Sequence, residues 1–156
     1  MIDEKTKKVL EYLVKKLKDI NWALVGSTNL AIQGVDIKPH DIDILTDRKG
    51  VYAIGKFLKK FEKASIMFRE TKQFKSNFGI FEIDNVKIEV MENLQNRIKN
   101  KWVVTNDLSK RRFIEFEGIE LPVIPLEEEY KTYKKLGRIE KANKIKKLIE
   151  MKKVRN

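Results

Sequence analysis

Asp41 and Asp43 alternate with Ile42 and Ile44 in a short run that reads as a strand. Residues two apart in a strand share a side, so the two carboxylates stand side by side while the isoleucines turn to the core. Such a pair repels itself and calls for a counter-ion. Oxygen ligands without imidazole or thiolate nearby suit Mg²⁺ or Mn²⁺. Thirteen residues separate Asp41 from the dipeptide Gly26-Ser27, which follows the apolar run Trp22-Ala23-Leu24-Val25. At that point a strand turns into a helix N-terminus, where free backbone N–H groups and the Ser27 hydroxyl can bind phosphate and glycine permits close approach. Gly-Ser turns and alternating aspartates are each commonplace alone. In this order and spacing they describe a phosphate cradle beside a divalent-metal site, the equipment of an enzyme that handles triphosphates.

The elements that must position these groups follow from apolar periodicity. Val9, Leu10, Leu13, Val14 and Leu17 predict a helix over Glu4 to Ile20. Trp22 to Val25, apolar on both faces, predicts an interior strand, and Thr28 to Gln33 a brief helix closed by Gly34. Asp41 to Leu45 is the next strand. Thr46 or Asp47 caps a helix whose stripe is Val51, Ile54, Phe57, Leu58 and Phe61. A strand over Ser65 to Arg69 is followed by Phe78 to Ile83 and Val86 to Met91, a hairpin across Asp84-Asn85. Glu92 to Lys101 fits neither pattern. Arg112 to Phe116 and Ile119 to Val123 form a second hairpin across Glu117-Gly118. Two helices, Leu126 to Leu136 and Arg138 to about Lys152, end the chain. This order predicts a single α/β (α+β) domain with a mixed sheet, a core over residues 1–123 and a C-terminal helical extension over 124–156.

Composition narrows the class. At 156 residues, 42% hydrophobic and 37% charged, the chain can bury one core. No apolar run is long enough to span a bilayer, and Met1 to Lys8 lacks the apolar stretch of a signal peptide. With no cysteine and only His40, disulfides, thiolate metal sites and histidine clusters are excluded, and a cytoplasmic location is expected. The net charge is +11, and from Lys131 to Asn156 eleven Lys or Arg face two Glu. Such polarity suits either a polyanionic partner near the C-terminus or a Lys-rich, thermophile-like surface.

The apolar-Gly26-Ser27, spacer, Asp41-apolar-Asp43-apolar arrangement resembles the signature of the nucleotidyltransferase superfamily with the DNA polymerase beta-like fold, which includes the small prokaryotic minimal nucleotidyltransferases. The match is specific over Trp22 to Leu45 and looser beyond. The resemblance implies a nucleotidyltransferase fold and transfer of an NMP unit from an NTP to an acceptor hydroxyl, with release of pyrophosphate. It implies Mg²⁺ (or Mn²⁺) held by three carboxylates. Asp41 and Asp43 match two of them. Glu89, between Ile88 and Val90, fits the third, with Val86, Ile88 and Val90 facing inward; the family residue is commonly Asp, and Asp84 is the other candidate. An exposed strand Glu paired with a neighbouring lysine is the plainer reading of Glu89. By analogy Glu89 also takes the acceptor proton. Gly26, Ser27 and, more loosely, Lys131 are placed on the triphosphate, while Tyr130, Tyr133 and Leu136 read as packing residues. His40 reads as a loop histidine. RNA, a protein side chain or a small molecule can all serve as acceptor, and the basic C-terminus favours RNA over a small molecule. The rival readings are a non-catalytic nucleotide- or RNA-binding protein of the same fold, and a component of a toxin–antitoxin pair that works with a partner protein.

Overall fold

The computed structural model of the chain describes residues 1–155. Helix α1 (Glu4–Lys16) begins where the Asp3 carboxylate accepts a 2.7 Å hydrogen bond from the Thr6 N–H. Strand β1 (Trp22–Val25) is buried throughout and runs directly into α2 (Gly26–Ile32). Strand β2 (Ile42–Thr46) leads to Asp47, whose carboxylate accepts from the Gly50 N–H at 2.7 Å and so starts α3 (Arg48–Phe57). Then come β3 (Glu62–Glu70), β4 (Phe74–Ile83), β5 (Val86–Ile98), β6 (Lys101–Val104), β7 (Arg112–Phe116), β8 (Ile119–Val123), α4 (Leu126–Lys135) and α5 (Ile139–Arg155).

The strands form one mixed sheet in the order β3-β4-β5-β2-β1-β8-β7, with β6 on the distal half of β5. β2 lies antiparallel to β1 and parallel to β5, and β1 lies parallel to β8. The expected mixed sheet packed by helices, with a C-terminal helical extension, is therefore present. Helices α1 and α3 cover one face, where Leu10, Leu13, Val51 and Ile54 pack with Ile42, Ile44, Ile88 and Val90. On the opposite face Val25, Leu45, Met91 and Ile124 form a smaller cluster. Beside it, Leu30 and Val35 pack with Leu126, Tyr133, Ala142 and Ile145, so α4 and α5 are seated on α2. Each such buried aliphatic side chain contributes roughly 1.5–3 kcal/mol relative to an exposed one.

Three two-residue hairpins, Asp84-Asn85, Lys99-Asn100 and Glu117-Gly118, have both turn residues at positive φ, as type I′ turns require. The segment that fitted neither pattern, Glu92 to Lys101, extends β5 and turns into β6. Its polar sequence reflects its place beyond the main core, where its side chains are half-covered or exposed. The first helix ends four residues earlier than Ile20, at Lys16, and the brief helix starts at Gly26 instead of Thr28. Among the described residues, no helix is long and apolar enough to cross a membrane.

Candidate active site

The parallel register of β2 and β5 sets Ile42 beside Ile88, Asp43 beside Glu89 and Ile44 beside Val90. Because the isoleucines and Val90 fill the core under α1 and α3, Asp43 and Glu89 must project from the other face. Asp41, one step before the strand, continues the Asp43 side, and Lys87 continues the Glu89 side. Three carboxylates and one ammonium thus form a four-cornered group. The Lys87 Nζ lies 3.0 Å from Glu89 and 3.7 Å from Asp41. Glu89, Asp41 and their hydrogen bonds hold the Lys87 ammonium above the usual lysine range. Asp84 sits in the exposed β4–β5 turn, so it is Glu89 that stands opposite Asp43.

Asp43 is the least satisfied member. Its Oδ1 is buried with no hydrogen-bond partner. Burial pushes its carboxyl up to about 8, with further upward pressure from Glu89, Asp41 and Glu129. A buried, unpaired carboxylate oxygen among like charges is the donor set a hard divalent cation satisfies, so these residues fit Mg²⁺ or Mn²⁺. Among the described residues no three acidic or histidine side chains are already drawn into a metal cage. The Lys87 ammonium instead bridges two of the three acids.

Gly26 and Ser27 begin α2 beside this group. A Cβ on Gly26 would stand 2.5 Å from Asp43 Oδ2, and the residue has φ +79°, so only glycine suits the position. The Gly26 N–H, expected as a free phosphate donor, is engaged: it donates at 2.8 Å to Glu129 of α4. Ser27 Oγ accepts from the His40 N–H at 2.9 Å, and Thr28 Oγ1 donates to the Asp41 carbonyl at 2.9 Å. These two bonds fix the approach to Asp41. The Ser27 hydroxyl keeps its own hydrogen to give, and the exposed His40 side chain takes no part in these bonds.

Glu129 went unnoticed in the sequence. It is 1% exposed, and its Oε2 also accepts from Asn29 Nδ2 at 3.0 Å. Burial pushes its carboxyl up to about 7, against the opposing pull of the Asn29 and Gly26 hydrogen bonds. Asn29 and Gln33 complete the network by donating to the Ile124 carbonyl. The signal was available: Leu126, Glu129, Tyr130 and Tyr133 share one helical stripe, and a lone acid on a packing stripe marks a buried partner.

Along the same sheet face, Leu45 lies two residues beyond Asp43 and lines a cleft of about 460 Å³ with Asn93, Asn106, Glu128, Lys131 and Lys135. Lys131 therefore belongs to the cleft wall, 3.3 Å from Glu128, and not to the carboxylate group itself. Tyr133 is buried and Tyr130 packs beside it, as expected, while Leu136 is half-buried.

A model of the aminoglycoside-2″-adenylyltransferase family matches residues 6–152. The protein TM1012 of Thermotoga maritima, assigned as a nucleotidyltransferase, is 38% identical, with 97% of this chain and 96% of that chain covered at a TM-score of 0.80. The lincosamide antibiotic adenylyltransferase LnuA shares the fold at 12% identity and TM-score 0.60, over 93% of this chain and 97% of that one. ANT(2″)-Ia, solved with adenylyl-2″-tobramycin, does so at 8% identity and TM-score 0.61, over 97% and 93%. No curated protein matches the chain significantly. Matched from residue 6 to residue 152, nearly its whole length, the chain belongs to the aminoglycoside-2″-adenylyltransferase family of nucleotidyltransferases.

Proposed function

We propose that the chain transfers an NMP unit from an NTP, with ATP the first donor to test, to a hydroxyl of a small-molecule acceptor. The observation that carries this reading is the pairing of Asp43 with Glu89 across β2 and β5, with Asp43 Oδ1 buried and unpartnered. Asp41, Asp43 and Glu89 would hold Mg²⁺ or Mn²⁺. A divalent cation bound there supplies Lewis acidity at the phosphates and stabilises charge on the leaving pyrophosphate.

The chain's own groups supply the rest. The acceptor oxygen attacks the α-phosphorus in line, the bond to pyrophosphate breaks, and Glu89 is placed to receive the acceptor proton. Ser27 donates its hydroxyl hydrogen to a phosphate oxygen while His40 N–H holds its lone pair. Gly26 keeps the space in front of Asp43 clear. Lys131 and Lys135, on the cleft wall, offer positive charge to the triphosphate. A cleft of about 460 Å³ suits a nucleotide or a drug-sized acceptor. The family model and the antibiotic substrates named for LnuA and ANT(2″)-Ia favour a small molecule over RNA or protein.

The test is incubation with α-labelled ATP, Mg²⁺ and a panel of hydroxyl-bearing small molecules, beside cellular RNA and protein. Label should enter a small molecule and be lost with Asp41→Asn and with Asp43→Asn, both still folded. Near-normal transfer by either variant would sink the assignment, and label in RNA would move the acceptor.

A further inference from the structure

The β2–β5 register brings Lys87 into the acidic group by backbone geometry. Ile42 lies beside Ile88, so the preceding residues, Asp41 and Lys87, are neighbours on the same face as Asp43 and Glu89. The ammonium reaches both Glu89 at 3.0 Å and Asp41 at 3.7 Å. It is the only cation in a salt bridge with these acids among the described residues. Asp43 Oδ1, in contrast, has no partner.

We propose that Lys87 is the internal counter-ion of the centre, holding Asp41 and Glu89 together before the metal enters and yielding its place to it. This rests on the reading of Asp41, Asp43 and Glu89 as metal ligands. Three acids converging on one face repel one another, and a single ammonium offsets part of that repulsion. A divalent cation satisfies the same oxygens more fully, and it also reaches the Asp43 oxygen that Lys87 leaves bare. Both cations cannot sit between Asp41 and Glu89. Lys87 therefore sets the affinity for metal: it steadies the metal-free protein and competes with the ion. Lys63, which pairs with Glu82 at 3.6 Å on the outer strands, provides a control of like charge.

The experiment titrates Mn²⁺ into the full chain, without nucleotide, by calorimetry and water-proton relaxation. Wild type is compared with Lys87→Met, Lys63→Met and Asp43→Asn. Methionine keeps the stem and removes only the charge. Lys87→Met should bind Mn²⁺ about three- to tenfold more tightly than wild type, because a positive charge has left the site. Its metal-free melting temperature should fall, while the Mn²⁺-saturated proteins melt together. Lys63→Met should match wild type in both. An Lys87→Met affinity equal to or weaker than that of wild type overturns the counter-ion role while leaving the metal site standing. Failure of both wild type and Lys87→Met to bind Mn²⁺, or undiminished binding by Asp43→Asn, overturns the metal reading itself.

Discussion

The carboxylate of Glu129 accepts a 2.8 Å hydrogen bond from the backbone N–H of Gly26, 103 positions earlier in the chain. The bond caps α2 at the turn that faces Asp43, and it joins the C-terminal helices to the Gly26-Ser27 turn. Glu129→Ala would leave the Gly26 N–H and the Asn29 amide facing a gap inside the protein. Urea unfolding should show a loss of about 2–4 kcal/mol. Glu129→Gln keeps one carbonyl oxygen for Gly26 and should lose about 1 kcal/mol. Equal stability of all three proteins would mean that the bond does not hold α4 in place.

A pH dependence follows from two raised carboxyls. Asp43 is pushed from 3.8 to about 8 and Glu129 from 4.5 to about 7, each mainly by burial. The folded state therefore binds more protons than the unfolded chain between those limits, and stability falls as pH rises through that window. The metal-free protein should be more stable near pH 5.5 than near pH 8. Asp43→Asn should flatten the decline. Added Mg²⁺ should raise the melting temperature of wild type near pH 8 and leave Asp43→Asn unmoved. Denaturation series across this pH range, with and without Mg²⁺, check both arms.

Glu89 and Asp84 make opposite demands. Glu89 faces Asp43, while Asp84 occupies a turn at φ +51° that asparagine also tolerates. Glu89→Gln should lower transfer on the order of 100-fold or more, by removing a metal ligand and a proton acceptor together. Asp84→Asn should stay within about twofold, a change small enough for a turn residue outside the site. The reverse ranking in a steady-state assay would return the third carboxylate to the turn.

Gly26 is a test of space rather than charge. Any Cβ there meets Asp43 Oδ2 and forces a side-chain-bearing residue to φ +79°. Gly26→Ala should lose about 1–3 kcal/mol of stability and weaken Mn²⁺ binding as Asp43 is pushed aside. Unchanged Mn²⁺ affinity in a titration of the folded variant would show that Asp43 has room elsewhere.

Much of this arrangement was legible in the chain. Alternation placed Ile42 and Ile44 in the core and the aspartates opposite, and both Asp84-Asn85 and Glu117-Gly118 turned where their residue types allow positive φ. What stayed hidden depended on partners distant in sequence. Nothing local tells Lys87 that Asp41 will lie beside it, since strand order is decided by the whole sheet. The fate of the Gly26 N–H was equally invisible, because it hinges on a helix folding back from residue 126. Lys99-Asn100 has neither a turn-forming first residue, as Asp84-Asn85 has, nor a glycine, as Glu117-Gly118 has, so the β5–β6 hairpin carried no strong signal.

The basic C-terminus separates the acceptor classes. Helix α5 buries Ala142 and Ile145 against the α2 side of the protein, so removing it after Arg138 would strip part of a core along with the charge. Point changes are cleaner. Lys144, Lys146 and Lys147 are exposed, whereas Lys152 donates to the Gln33 carbonyl at 3.2 Å and is better left alone. If α5 grips a nucleic acid, each of the three contributes a phosphate contact. The triple Lys→Gln variant should then flatten the slope of log affinity against log salt by about 2–3 units. With a small-molecule acceptor, transfer by the triple variant should match wild type at every salt concentration, and RNA should bind both proteins equally weakly. We expect the second pattern, because the cleft that Leu45 lines is walled by α4, and α5 contributes no residue to it. A steep wild-type salt slope that the three changes flatten would instead make RNA the acceptor.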